Sequence, residues 1–132
     1  VKANHKIERP IIIHHIADAS VTKVVAATRN LIWVDENAAV TVIEKYDAVG
    51  GAVFSSHVNE VFVAKQGSFT YKLIQNDIGE RYQFTHTVIH QQSNSHVNCF
   101  ALCLNGKLIR NNLHLLLDGE HIDSHMYGLY LL

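Results

Sequence analysis

The sequence repeats one arrangement several times: a short apolar run, a polar turn, and a longer run in which apolar and polar residues alternate. The turns fall at Asn37, Gly67, Asn94 and Gly119, with spacings of 30, 27 and 25 residues. A loose repeat of this length is typical of stacked structural units, none of which can bury its apolar face alone. Because each unit contains two strand-like runs, the repeat predicts a β-solenoid.

The runs beside these turns alternate with a period of two, which is typical of strands rather than helices. The C-terminal stretch shows this most clearly, since Leu108–Leu117 and His121–Leu132 flank Asp118-Gly119-Glu120. An Asp-Gly pair between two alternating runs is a strong turn signal. Apolar residues on both faces of these two runs predict strands that are covered on both sides.

The remaining strands can be placed by the same alternation and by their β-branched residues. They are predicted at Ile11–Ile16, Val21–Thr28, Leu31–Val34, Ala39–Tyr46, Val61–Val63, Phe69–Ile74, Phe84–His90 and His96–Leu104. Pro10 is expected at a strand start or edge because it cannot donate a ladder hydrogen bond. Tyr46–Ser56, which holds Gly50-Gly51, is predicted to be a loop, and residues 1–9 a lead-in segment or a frayed end. A β-sandwich or β-barrel is the alternative fold.

Size and charge limit the possible functions. The 132 residues suit one domain, and the net charge of −1 gives no strong field for binding nucleic acid or an anionic membrane. No apolar run approaches the roughly 18 residues of a membrane-spanning helix. Because the chain starts at Val1 rather than Met, we expect it to be a piece of a longer protein.

Histidine and cysteine pairs are the candidates for metal chemistry. His86 and His90 are four residues apart, as are His121 and His125. On a helix each pair could share a metal ion, but on a strand its members lie roughly 13 Å apart. Histidines of neighbouring coils could still form a ligand set, and a histidine-based metal-binding protein therefore remains a hypothesis.

The two cysteines lie in a single predicted strand. Cys99 and Cys103 are too far apart along it, at roughly 13 Å, to form a disulfide. Their neighbours are apolar and no basic residue flanks them, so we expect buried, unreactive thiols. Reduced thiols suit a cytoplasmic protein.

The other polar and aromatic residues give no catalytic motif. The carboxylates fall mostly in predicted turns, where solvation is the default; they are Glu36, Asp77, Glu80, Asp118, Glu120 and Asp123. The aromatic residues mostly lie within alternating runs, which favours core packing over a sugar-binding ladder. A β-helical protein that binds or cleaves polysaccharide is nevertheless a second hypothesis.

The order and spacing of several motifs resemble those of a known family. In the C-terminal stretch they are Gly106–Leu113, Leu117–Glu120 and Tyr127–Leu131, and upstream they are Glu36–Ala38, Val40–Tyr46, Asn59–Val63 and Tyr71–Gln75. Together these resemble the core of the SUF-system iron–sulfur cluster assembly proteins of the SufB/SufD family, nearest the SufD branch. The resemblance covers most of the chain from about Ile11.

This resemblance implies both a fold and a function. The fold would be all-β, with residues 1–132 forming a right-handed parallel β-helix core, a truncated fragment without the family's flanking helical domains. The function would be that of a cytoplasmic, non-catalytic SufD-like scaffold that pairs with a SufB-like β-helix and a SufC-like ABC-type ATPase. The nascent iron–sulfur cluster would form on the full complex, and this fragment would bind no cofactor.

No cluster ligand is carried over from the family. The cluster-site histidine of SufD-like chains lies beyond the end of this sequence, and Cys99 and Cys103 do not correspond to it. A solenoid that ends at Leu132 would expose an open strand edge. We therefore expect the fragment to associate end to end, as a homodimer through the solenoid ends.

Overall fold

The computed structural model describes residues 1–131, which form nine β-strands in two sheets. The strands are β1 (Ile11–Ala19), β2 (Val24–Val34), β3 (Ala39–Gly50), β4 (Val53–Val63), β5 (Ser68–Gln75), β6 (Arg81–Gln92), β7 (His96–Leu104), β8 (Leu108–Asp118) and β9 (Asp123–Leu131). Sheet A has the order β1-β3-β5-β7-β9, and sheet B has the order β2-β4-β6-β8. Four successive odd–even strand pairs therefore stack as coils 1 to 4, and β9 begins coil 5.

All strand pairs in both sheets are parallel. The residue offset between paired strands falls from 31, where Ile11 pairs with Val42, to 26, where Tyr82 pairs with Leu108. Each offset is the number of residues in one coil, so the variation in coil length explains the irregular repeat in the sequence. The predictions of an all-β chain and a parallel β-solenoid are confirmed, and the sandwich and barrel alternatives are wrong.

One turn recurs at the same corner of coils 1 to 3. In each turn a backbone amide donates to the carbonyl three residues before it, as Ala38 does to Asp35 at 3.1 Å. The third turn residue has positive φ, which is the requirement of a type II turn; these residues are Asn37, Gln66 and Asn94, preceded by Asn4 in the lead-in segment. Their amides donate to the turn of the next coil, so the turns form a ladder like the strands do.

The opposite corner is tighter than the sequence suggested. The predicted loop Tyr46–Ser56 is wrong, since β3 continues to Gly50 and β4 begins at Val53. Gly50 has φ +79°, and a Cβ atom there would lie 2.5 Å from the backbone nitrogen of Ser20. Glycine therefore allows a two-residue corner directly against the coil below.

Alternate residues of each strand point into the solenoid and form its core. Val34, Phe69, Ile89 and Val97 are almost completely buried there. The prediction that the last two strands are covered on both sides is wrong, since most of β9 is exposed. The reason is that the last coil has a stacked neighbour on only one side.

Most aromatic side chains lie outside the core, which contradicts the sequence-based expectation. Phe69 and Tyr71 are buried, but Trp33 is 52% exposed and Tyr127 is 54% exposed. The outward rings stack on one another between coils, as Trp33 does on Phe62 with ring centroids 4.1 Å apart. The alternation of apolar and polar residues shows which side chains share a face of a strand. It does not show whether that face points into the solenoid or towards solvent.

The first residues are held in place rather than frayed. The amide of Asn4 donates to Glu36, and that of Ile7 donates to Ala39, so this lead-in segment adds to the ladder of coil 2. β1 begins directly after Pro10, as expected. Across residues 1–131 there is no helix long and apolar enough to cross a membrane.

Candidate functional site

A cluster of polar side chains lies inside the solenoid, where coils 1 to 3 stack. Its centre is Glu44 on β3, which is 1% exposed. His15 Nε2 donates to its carboxylate at 2.8 Å and Asn59 Nδ2 donates at 2.7 Å. Asn30 Nδ2 donates at 3.2 Å, and the Tyr71 hydroxyl donates to the second oxygen. Both carboxylate oxygens therefore have donors, as an ionised buried carboxylate requires.

The hydrogen bonds of this cluster determine its charge state. Burial raises the pKa of Glu44, but hydrogen bonds from His15 and Tyr71 outweigh it and hold that pKa below its ordinary value. Burial and the nearby Glu44 charge raise the pKa of both Tyr46 and Tyr71. Glu44 is thus an anion with hydrogen-bond donors on both oxygens, which is a structural arrangement rather than a free general base.

A buried histidine extends the cluster towards a small cavity. His57 on β4 is 2% exposed, and its Nδ1 lies 2.7 Å from Thr28 Oγ1. Burial, with a smaller contribution from His15, lowers the pKa of His57 to about 4. Its Nε2 atom has no partner among the described residues, and His57 is one of the residues that line a cavity of about 110 Å³.

Asp77 and Arg81 close the corner beside this cavity. The Arg81 guanidinium donates to the backbone carbonyls of Gly51 and, at 3.2 Å, of Gly50. Asp77 accepts from the amide of Ala48 at 3.0 Å, and burial raises the pKa of its carboxyl. Both side chains therefore stabilise the two-residue corner. The expectation of a solvated Asp77 is wrong, because this turn folds against the neighbouring coil and buries it.

The other carboxylates identified from the sequence are exposed, as predicted. They are Glu36, Glu80, Asp118, Glu120 and Asp123. Glu80 accepts from Lys107 at 2.9 Å. They lie at turns or strand ends and do not converge on a cleft.

The histidine pairs predicted from the sequence do not come together. His86 and His90 both lie on β6, while His121 precedes β9 rather than lying in it, which corrects the predicted strand start. Instead, histidines approach across coils: the rings of His86 and His114 are 4.9 Å apart. In residues 1–131, no group of three or more His, Cys, Asp or Glu side chains has the geometry of a metal site.

Both cysteines are buried and unpaired on β7, as predicted. Burial raises the pKa of Cys99 to about 11. Burial also raises the pKa of Cys103, although a hydrogen bond from Asn111 Nδ2 at 2.9 Å partly offsets it. Neither thiol therefore has the lowered pKa of a reactive cysteine.

Sequence reasoning did not identify the polar cluster around Glu44. One signal was available: Val40, Val42, Glu44 and Tyr46 occupy alternate positions of one strand, so a carboxylate shares a face with core residues. Its partners come from the other strand of its own coil and from the coils on either side, and finding them requires the exact register between strands.

The outer surface carries apolar side chains in rows that cross the coils. On sheet A, Phe100 and Tyr127 stack at 5.0 Å beside Ile74, Leu102 and Leu129. These residues line an open groove of about 730 Å³. Contiguous exposed apolar surface of this kind is typical of protein interaction sites.

Comparison with known proteins gives a consistent result. Residues 15–132 match the family described as "SUF system FeS cluster assembly, SufBD core domain". An iron–sulfur cluster assembly SufBD family protein of Synechocystis sp. is 25% identical over 141 residues. That alignment covers 100% of this chain and 31% of the relative, so the chain spans about a third of the relative's length. No solved structure matches the chain.

Proposed function

The chain belongs to the SufBD core family of the SUF iron–sulfur cluster assembly system, and from this membership we propose that it is the core of a non-catalytic scaffold subunit. Residues 1–132 act as one β-helix domain of a SufD-like protein in the cytoplasm. The complete protein pairs with a SufB-like β-helix and with an ABC-type ATPase. A nascent iron–sulfur cluster is the cargo of this complex, and residues 1–132 supply no ligand to that cluster.

The apolar groove on sheet A is the observation that carries this proposal. Phe100 is 40% exposed and Tyr127 is 54% exposed, although both belong to an ordered stack of rings. Contact with another protein surface would remove these rings from water, which is favourable in proportion to the apolar area buried. We assign this groove to the SufB-like subunit.

The interior supports a structural rather than catalytic role. The carboxylate of Glu44 already has donors on both oxygens, and Asp77 and Arg81 bind backbone groups. Cys99 and Cys103 are buried with raised pKa values. These groups stabilise the stack of coils through hydrogen bonds and packing.

Purification of the full-length native protein under anaerobic conditions tests the proposal. Its partners are identified by mass spectrometry, in an extract in which the ATPase is shown to be present. We expect to recover an ABC-type ATPase together with a second SufBD-family subunit. Recovery of the protein alone would contradict the scaffold function.

We also propose that the 132-residue polypeptide self-associates through its edge strands. β8 and β9 are the last strands of sheets B and A, and their outer edges have unpaired backbone groups within residues 1–131. Sedimentation velocity over a concentration series should show dimers at the higher concentrations. A monomer at every concentration would contradict the association.

A further inference from the structure

Two histidines from neighbouring coils meet on the outer face of sheet B. His86 lies on β6 and His114 lies on β8, and both side chains are exposed. Their ring centroids are 4.9 Å apart, and the ring planes are inclined at 48°. Solvent can reach both rings, so the pair is accessible to a dissolved ion.

The register between the two strands explains this contact. His86 pairs with Asn112 and Val88 pairs with His114, so His114 is one outward position further along its strand than the direct partner of His86. Paired parallel strands are about 4.8 Å apart, and outward positions repeat about every 6.6 Å along a strand. The two rings therefore lean towards each other along a diagonal to reach a separation of 4.9 Å.

Four other exposed or half-buried histidines already bind carboxylates. His14 contacts Asp47 at 2.6 Å and His90 contacts Asp118 at 3.2 Å. His96 and His125 both contact Asp123, at 3.4 and 3.0 Å. In contrast, no hydrogen bond within residues 1–131 involves the rings of His86 or His114, and their nitrogen lone pairs remain free to bind a metal ion.

The separation of the rings fits a shared metal ion. Imidazole nitrogens bind Zn²⁺ at about 2.0–2.1 Å, so two imidazoles on one tetrahedral ion have centroids about 5 Å apart. The observed 4.9 Å agrees with this value. We propose that His86 and His114 form a surface site for a divalent transition metal ion, with water completing the coordination. Imidazole ligands favour zinc, copper, iron or nickel over magnesium or calcium.

Charged groups around the pair affect how tightly it can hold a cation. Arg110, on the same strand as His114, donates from Nε to Asn112 at 3.2 Å, and its positive charge opposes the binding of a second cation nearby. The guanidinium of Arg29 binds Glu60 at 2.7 and 3.0 Å, so that carboxylate is already neutralised. With two protein ligands the site is expected to bind more weakly than a four-ligand structural zinc site.

Calorimetric titration of the chelator-stripped full-length protein with Zn²⁺ tests the proposal. His86→Ala and His114→Ala should each weaken binding by about tenfold or more, because each removes one of two ligands. The double variant should lose less binding free energy than the sum of the two single losses, because either single change already breaks the two-ligand chelate. Independent, additive losses would contradict a shared ion.

Two controls make the test specific. His125→Ala removes another exposed histidine on the opposite sheet and should leave Zn²⁺ affinity unchanged. The metal-free variants should melt within a few degrees of the wild type, because both side chains are on the surface. Loss of binding in His125→Ala but not in the His86 and His114 variants would overturn the assignment, as would equal binding in every variant.

Spectroscopy with a second ion provides an independent readout. Cu²⁺ bound to the wild type should show coupling to two imidazole nitrogens in its electron paramagnetic resonance spectrum. Each single variant should show one nitrogen at most. Two nitrogens in His86→Ala or His114→Ala would place the ion elsewhere. Because this signal requires no partner protein, it remains informative even if the scaffold function fails its own test.

Discussion

The inner and outer faces of the same strands have opposite chemistry. Inside, Glu44 has donors on both carboxylate oxygens and Phe69 is completely buried. Outside, Phe100 and Tyr127 remain exposed, and the His86 and His114 rings face solvent. The difference indicates that the inner face maintains the fold, whereas the outer face is available for binding.

Alanine substitutions of two phenylalanines of sheet A should show the largest difference in the free energy of unfolding. Phe69 is 0% exposed, and Phe69→Ala should lower the free energy of unfolding by about 3–5 kcal/mol because it leaves a cavity in the core. Phe100→Ala on the outer face should cost about 1 kcal/mol or less. Urea denaturation measures both values, and equal losses would remove the distinction between the two faces.

Removal of the buried carboxylate should have the next largest effect. Glu44→Ala should cost about 3 kcal/mol, because His15, Asn59 and Tyr71 would lose their buried acceptor. The exposed Glu36 provides the matched control, and Glu36→Ala should change stability by about 0.5 kcal/mol or less. Wild-type stability in Glu44→Ala, measured by urea denaturation, would show that the polar cluster does not stabilise the fold.

The pH dependence of the free energy of unfolding tests the lowered pKa of the buried His57. Its pKa is lowered from 6.5 to about 4, so above pH 6.5 His57 is neutral in both the folded and unfolded chains. Between pH 6.5 and 4 the unfolded chain gains a proton that the folded chain does not, and stability therefore falls with falling pH. The total loss from this group should be roughly 3 kcal/mol.

His57→Asn separates this effect from other titrations. The variant should lose less stability than the wild type between pH 6.5 and 4, while Glu44, with its lowered pKa, acts mainly at lower pH. Chemical denaturation at half-unit pH steps gives both profiles. Parallel profiles would show that His57 titrates normally in the folded protein.

The smallest difference between the faces concerns the reactivity of the two buried thiols. Because burial raises the pKa of Cys99 to about 11, its thiolate fraction at pH 8 should be roughly a hundredfold lower than that of a free cysteine. A thiol reagent should therefore react slowly with the native protein and rapidly with both cysteines in urea. Fast reaction of either cysteine in the native protein would show that the interior opens readily.

The sequence predicted the features that depend on local pattern. Alternation placed most strands, the turn spacing predicted the stacked coils, and Pro10 marked the start of β1. Cys99 and Cys103 were correctly expected to be buried and unpaired, because their strand and its apolar content can be identified locally.

Features that depend on register between distant residues were missed. Glu44 contacts His15, Asn59 and Tyr71 only because specific residues of three coils align. Asp77 was expected to be solvated because its burial depends on the coil beside it. Period-two alternation separates the two faces of a strand. It does not show which face points inward, so the outward position of most aromatic residues could be recognised only from the complete stack.

The central claim is that the outer groove of sheet A binds the second SufBD-family subunit. Co-purification of that subunit with full-length variants of the outer face tests this claim most directly. Phe100→Glu changes the groove of sheet A, and Val25→Glu changes a position that is 79% exposed on sheet B. Both full-length variants should fold with nearly wild-type stability. We predict that Phe100→Glu loses the β-helical partner but retains the ATPase, whereas Val25→Glu retains both. Full recovery of the partner by Phe100→Glu would contradict the assignment of the groove to that subunit.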